Sequence, residues 1–175
     1  TPVIPPIKGL EGNPYVYTSA ELMDLREYPK QLVIVGGGYI GLEFSSMYSG
    51  FGTKVTVLQD GEVLIPREDR DVAEAIQGVL ENRGVTFKLG AQIQEIVRAD
   101  GHARIKLTFK GQEEILEADA VLIATGRKPN TEGLRPERAG VELNRRGAVV
   151  VDDELKTTAD NIWAMGDVHG GLQFT

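Results

Sequence analysis

The sequence predicts an α/β fold: a parallel sheet covered by helices, with an antiparallel three-stranded β-meander inserted before the sheet is complete. Three observations carry this. Three strand-like segments, 31–35, 54–58 and 85–89, are separated by two stretches of helical periodicity, 39–51 and 69–83. That β-α-β-α-β order is the unit of a parallel sheet. The stretch 93–118 then breaks the rhythm. Runs at 93–98, 103–109 and 113–118 are separated by Asp100-Gly101 and Lys110-Gly111, and 104–109 alternates strictly as Arg, Ile, Lys, Leu, Thr, Phe. This is the pattern of half-buried antiparallel strands joined by tight turns. Finally, residues 120–124 (AVLIA) return as a wholly apolar run, as a strand buried on both faces requires.

Each element has a local reason. Residues 1–14 are rich in proline and glycine and read as a linker. Ser19 is the expected N-cap of a short helix running to about Glu27, before Pro29. In the helix 39–51, Ile40, Phe44, Met47 and Phe51 share one face and form the expected apolar stripe. Gly41, Ser45 and Ser46 permit close approach, and Gly50 and Gly52 end the helix. In 69–83 the expected apolar face is Val72, Ile76, Val79 and Leu80, with Gly84 as terminator. Right-handed crossovers place both helices against the sheet. Short strands are expected at 149–151 and 162–164, and no internal repeat is present.

Composition narrows the functional classes. A chain of 175 residues, 41% hydrophobic and 26% charged, can build a real core. A net charge of −7 argues against nucleic acid or an anionic membrane as partner. No apolar run approaches the roughly 20 residues of a bilayer span, and no basic-then-apolar leader is visible, so a cytoplasmic setting is expected. Without cysteine the chain carries no thiol nucleophile, disulfide or thiolate metal site. Its opening, Thr1-Pro2-Val3-Ile4-Pro5-Pro6, and its close, Gly170-Gly171-Leu172-Gln173-Phe174-Thr175, both read as cut from something longer.

The chemistry is concentrated in residues 32–43, LVIVGGGYIGLE. An apolar strand leads into Gly36, Gly38 and Gly41 at G-x-G-x-x-G spacing, with Gly37, Tyr39 and Ile40 between them, and a helix follows at once. Such a turn offers helix N–H groups and a positive dipole end to a diphosphate. Gly36 is expected to allow the sharp turn, Gly38 the approach of phosphates, and Gly41 close packing of helix on strand. About 20 residues further on, where an acid reads the ribose hydroxyls, stand Gln59 and Asp60. Gln59 tolerates a 2′-phosphate, Asp60 repels one and Arg67 attracts one, so NAD and NADP both stay open, with a slight preference for NADH. Tyr39 is placed to stack over a nicotinamide, and Glu43, one turn later, to hold a cation beside a redox cofactor. Two more strand ends, VLIATGRKPN at 121–130 and IWAMGDV at 162–168, put Thr125, Gly126, Arg127, Gly166 and Asp167 where ligands sit in such sheets.

The ordered set PPIKGLE, LVIVGGGYIGLE, VLIATGRKPN and IWAMGDV resembles the pyridine nucleotide–disulfide oxidoreductases, flavoproteins that include dihydrolipoamide dehydrogenase, glutathione reductase and mercuric reductase. The resemblance spans nearly the whole chain. It implies a Rossmann-like NAD(P)H domain with its β-meander, inserted between two halves of an FAD domain. Residues 1–28 would then be the linker and short helix leading in, 29–126 the NAD(P)H-binding domain, and 127–175 a return segment toward the FAD domain. It further implies that Gly36, Gly38 and Gly41 bind the dinucleotide. Tyr39 would gate the nicotinamide pocket, and Glu43 would pair with a lysine beside the flavin. Gly126 would lie near nicotinamide and flavin, and Asp167 would hydrogen-bond the ribityl chain of FAD. Gln59 departs from the glutamate typical of NADH users. The implied reaction passes hydride from NAD(P)H to flavin and electrons on to a cysteine pair. That pair, the FAD fingerprint and the dimerisation domain are absent from this sequence, so the chain alone is expected to bind and not to turn over. The implied partners are the FAD and dimerisation domains of the same enzyme, a homodimer at full length, and a small-molecule substrate. An NADH oxidase or peroxidase, or a stand-alone dinucleotide-binding module, are the alternatives. The ending 170–175 is more similar to mercuric-reductase-like enzymes that reduce hypothiocyanous acid or respond to reactive chlorine. His102 and His169 have no partner by spacing and no expected catalytic role.

Overall fold

The computed structural model describes residues 1–171. In chain order the elements are β1 Val16–Tyr17, α1 Ser19–Met23, β2 Gln31–Val35, α2 Tyr39–Gly50, β3 Lys54–Gln59, α3 Arg70–Asn82 and β4 Thr86–Leu89. They continue with β5 Gln92–Ala99, β6 His102–Phe109, β7 Gln112–Ala118 and β8 Ala120–Ile123. One sheet has strand order β1-β8-β2-β3-β4, parallel throughout, and the other is the antiparallel meander β5-β6-β7. The predicted fold class is therefore the observed one. Contacts divide the chain into two compact units, Ile4–Gly126 and a smaller one formed by Thr1–Val3 with the residues from Arg127 onward.

In the larger unit the parallel sheet is the middle layer, and its alternating side chains build two cores. Leu32, Ile34, Val55, Val57 and Leu122 point to one face, where Leu42, Phe44 and Tyr48 of α2 and Leu80 of α3 cover them. Val33, Val35, Leu58, Val121 and Ile123 point to the other, where Ile96, Ile105 and Leu107 of the meander cover them. A strand buried on both faces has no polar alternation, which is why β2 and β8 read as unbroken apolar runs.

Several local expectations are corrected. Thr18, not Ser19, caps α1. Its hydroxyl and backbone N–H form a reciprocal capping box with Glu21, and the helix ends at Met23 rather than near Glu27. The buried face of α2 is Gly41, Leu42, Phe44, Ser45 and Tyr48; Met47 and Phe51 are 39% and 50% exposed. The helix seats through its smallest residues, and Tyr48 donates its hydroxyl to the Leu22 carbonyl at 2.9 Å. On α3, Ala73 and Leu80 are buried with Ile76 packed beside them, while Val72 and Val79 are exposed.

Much of the segment expected to be a linker is a strap on the meander. Leu10 is buried, the Ile96 N–H donates to the Lys8 carbonyl at 2.9 Å, and the Asn13 amide donates to the carbonyls of Gly9 and Ile96. Gly9 has φ +84°, and a Cβ there would lie 2.2 Å from the Ile96 carbonyl oxygen. In the smaller unit the strands expected at 149–151 and 162–164 reduce to isolated bridges, Leu143 with Val149, Val151 with Thr157 and Lys156 with Trp163. No described helix is long and apolar enough to cross a membrane. The part of the ending 170–175 that follows Gly171, including Leu172 and Phe174, lies outside the described residues.

Candidate functional site

The strand order locates the site. From β2 the chain steps outward through β3 to β4, then returns on the other side of β2 as β8. The order therefore reverses between β2 and β8, and the C-terminal ends at such a reversal are where ligands sit in open α/β sheets. The turn Gly36–Gly38 and the start of α2 lie at this point. Gly36 has φ +114°, and a Cβ on it would sit 2.4 Å from the Ala124 carbonyl oxygen at the end of β8. Its N–H donates to the Leu58 carbonyl at 2.8 Å, tying the turn to β3 as well. A Cβ on Gly41 would meet the Gly36 carbonyl oxygen at 2.1 Å. Both glycines are thus demanded by the backbone around them. Gly37 is hemmed in too, by the Leu64 side chain 2.5 Å from the place of its Cβ.

Gly38 is different. It has ordinary extended φ/ψ of −83° and −176°, and a Cβ there would meet nothing within 4 Å. Neither conformation nor packing of the chain requires glycine at this position. What its missing side chain leaves is open space in front of the N-terminus of α2. That helix has no side-chain cap and no acid in its first turn. Its positive dipole end faces that space, a place that suits an anion.

Around the turn, Val35, Gly36, Leu58, Asp60, Ile93 and Thr125 line a cleft of about 360 Å³. Gln59 does not simply end a strand in solvent. Its side-chain carbonyl accepts the Gly37 N–H at 2.7 Å, and its amide donates to Asp60 at 2.9 Å. The same Asp60 oxygen accepts the Gly61 N–H at 2.8 Å. Arg67 is exposed, Ile40 is half-buried in the first turn of α2, and Gly126 follows β8 with φ +132°.

Tyr39 and Glu43 open instead onto a larger groove of about 540 Å³ between α2 and α3, walled by Leu42, Ile65, Val72, Ile76 and Val79. The Tyr39 hydroxyl donates to the Glu68 carboxylate, which holds the phenol above its ordinary pKa. Glu43 is exposed, with no ion pair among the described residues. In the smaller unit, Gly166 and Asp167 open a 3-10 turn, Gly166–His169, with Gly166 at φ +76°. Asp167 shares a recess of about 240 Å³ with Arg127, Lys128 and Asn130. The predicted residues thus form three sets: the glycine turn with Gln59, Asp60 and Thr125; Tyr39 with Glu43; and Arg127 with Asp167.

Sequence reasoning missed Leu64, Ile65 and Glu68. The first two are buried, and the Ile65 N–H donates to the Gly37 carbonyl at 3.0 Å. The signal was an apolar triplet, Val63-Leu64-Ile65, inside a polar loop. No cluster of three or more metal-ligating side chains occurs among the described residues.

Residues 1–175 match the family model described as pyridine nucleotide-disulphide oxidoreductase. The chain is 50% identical over 173 residues to the probable pyridine nucleotide-disulfide oxidoreductase RclA of Escherichia coli (strain K12), covering 99% of this chain and 38% of that protein. It is 38% identical over 174 residues to a mercuric reductase of Staphylococcus aureus, covering 99% of this chain and 32% of that protein. The solved Cu(II) complex of the HOCl-induced flavoprotein disulfide reductase RclA from Escherichia coli superposes with a TM-score of 0.91 at 49% identity, over 99% of this chain and 39% of that one. The chain therefore spans between about a third and two-fifths of the length of these relatives.

Proposed function

The chain belongs to the pyridine nucleotide-disulphide oxidoreductase family, and on that premise we propose that residues 29–126 are the NAD(P)H-binding domain of an FAD-dependent disulfide reductase. Residues 1–28 lead in from the flavin domain and 127–175 lead back toward it. The observation that carries this is the contrast among the glycines. Gly36 and Gly41 are forced by backbone contacts, whereas Gly38 alone leaves open space at an uncapped helix N-terminus.

The residues present fit a dinucleotide. Backbone N–H groups at the start of α2 suit the diphosphate, and the cleft that runs from Asp60 past Gly36 to Thr125 suits the two arms on either side of it. Asp60 marks the adenosine end with a negative charge, which disfavours a 2′-phosphate and favours NADH. When bound, the reduced nicotinamide supplies a hydride and the flavin accepts it. This chain's residues position that donor; they supply no nucleophile and no redox group. For FAD the fit is one contact. Asp167, exposed on its turn, suits the ribityl hydroxyls, and the small recess beside it holds no more of the flavin than that. Glu43, exposed and unpaired among the described residues, suits a lysine beside the flavin. The relatives are named as reductases, among them a disulfide reductase, and this favours disulfide reduction over an oxidase or peroxidase role for the whole protein, which we take to be a homodimer.

Calorimetric titration with NADH and, separately, NADPH tests the assignment. NADH is expected to bind at least tenfold more tightly, about 1.4 kcal/mol. In a steady-state assay with NADH and a disulfide, the chain is expected to show no turnover above free flavin. Binding of neither nucleotide refutes the nucleotide site.

A further inference from the structure

We propose that Glu68 is a positioning residue: its carboxylate holds the Tyr39 ring in the groove between α2 and α3 and so sets how readily a dinucleotide leaves the glycine turn. The second half rests on the nucleotide reading above; the first half stands on geometry alone.

Tyr39 is the first residue of α2, directly after Gly38. Its ring therefore starts at the diphosphate end of the proposed site. Yet the ring lines the apolar groove, where its hydroxyl donates to Glu68. An exposed carboxylate on a free loop would be a poor anchor, since ordering two mobile side chains offsets most of the gain. Glu68 is not on such a loop. Leu64 and Ile65, four and three residues before it, are 2% and 3% exposed. The Ile65 N–H donates to the Gly37 carbonyl at 3.0 Å, and the Glu68 N–H donates to the Ile65 carbonyl at 2.9 Å. Ile65 is held at φ +34°, a conformation that a β-branched residue adopts only when its surroundings impose it. The loop is thus bolted to the glycine turn, and Glu68 is a fixed post beside it. Any movement of Gly37 on ligand binding is passed through Ile65 to Glu68, and from Glu68 to the ring.

The test combines a spectroscopic and a kinetic readout on the whole chain, with the variants Glu68→Ala, Glu68→Gln, Tyr39→Phe and the double variant Tyr39→Phe/Glu68→Ala. In the ¹³C spectrum of ring-labelled tyrosine, Tyr39→Phe identifies the Tyr39 signal. Glu68→Ala is expected to shift that signal, and Glu68→Gln, which keeps a carbonyl acceptor, to shift it less. By stopped flow, Glu68→Ala is expected to change the NADH dissociation rate about threefold or more, and to have no effect in the Tyr39→Phe background. An unshifted Tyr39 signal in Glu68→Ala overturns the positioning role. A rate change of equal size in both backgrounds overturns the route through Tyr39. If the parent chain binds no NADH, the control of nucleotide exit falls together with the nucleotide site, while the ring signal still decides whether Glu68 holds Tyr39.

Discussion

Replacing Gly38 by alanine separates binding from folding at a single methyl group. The added Cβ would meet no protein atom within 4 Å, and the backbone is already in a region open to every residue. The cost to stability is then confined to the poorer N-cap, about 1 kcal/mol, or roughly 2–4 °C in melting temperature for a chain of this size. The same methyl stands in front of the helix N–H groups. Losing one charge-assisted hydrogen bond to a diphosphate costs about 1.5–3 kcal/mol, a drop of roughly tenfold to a hundredfold in NADH affinity. Gly41→Ala is the opposite case. Its Cβ would be driven to 2.1 Å from a backbone oxygen, so α2 must lift off the end of β2 by about 1 Å. We expect a loss of roughly 3 kcal/mol, with melting about 6–12 °C lower. Circular dichroism melts and a calorimetric NADH titration on both variants give the four numbers. Wild-type NADH affinity in Gly38→Ala would refute the reasoning, because the open space would then have no occupant. An unchanged melting point in Gly41→Ala would refute the steric account of the turn.

Two further predictions concern the scaffold. Glu21 accepts hydrogen bonds from the Thr18 backbone N–H and hydroxyl, which lower its carboxyl pKa. A lowered folded-state pKa adds stability above the ordinary carboxylate range and loses it as pH falls through the folded value. From about pH 5 to pH 3 the parent chain is therefore expected to lose more melting temperature than Glu21→Gln, and equal slopes would show the capping box to be neutral. The half-buried pair of Lys88 on β4 and Glu114 on β7 joins the two sheets at 2.7 Å, with the ammonium 4.4 Å from the Phe109 ring centre. Lys88→Met should cost about 1 kcal/mol in urea unfolding, and a variant as stable as the parent would mean that desolvation cancels the attraction.

The strands were readable because hydrophobicity reports them directly. A parallel strand buried on both faces must be apolar along its buried length, and β8 and, after the exposed Gln31, β2 are. The meander was readable for the complementary reason, since its alternation matches one covered face. Helix faces were not readable in the same way. In α2 the large apolar residues Met47 and Phe51 suggested the inner face, but the helix packs through Gly41 and Ser45, whose value is their small size. A hydrophobicity pattern scores such residues as neutral, so it misplaces the contact by a fraction of a turn. The strap at Leu10–Asn13 was hidden because its bonds join residues more than 80 positions apart.

The candidate site is legible in the sequence as a list of residues and not as a set of contacts. By position Gln59 is a ribose contact, yet its carbonyl is already committed to the Gly37 N–H and its amide to Asp60. What a strand-end side chain can offer a ligand depends on which groups its neighbours present to it, here the Gly37 N–H of the glycine turn and Asp60 at the start of the loop 60–69. This loop carries no motif. Its two buried apolar residues and one hydrogen bond to Gly37 nevertheless hold the glycine turn in place, so the preorganisation of the proposed diphosphate site would come in large part from residues outside the fingerprint. A fingerprint of three glycines specifies where a ligand can approach; the stiffness of that approach is written in the loop opposite, in ordinary residues whose significance appears only when the two are brought together.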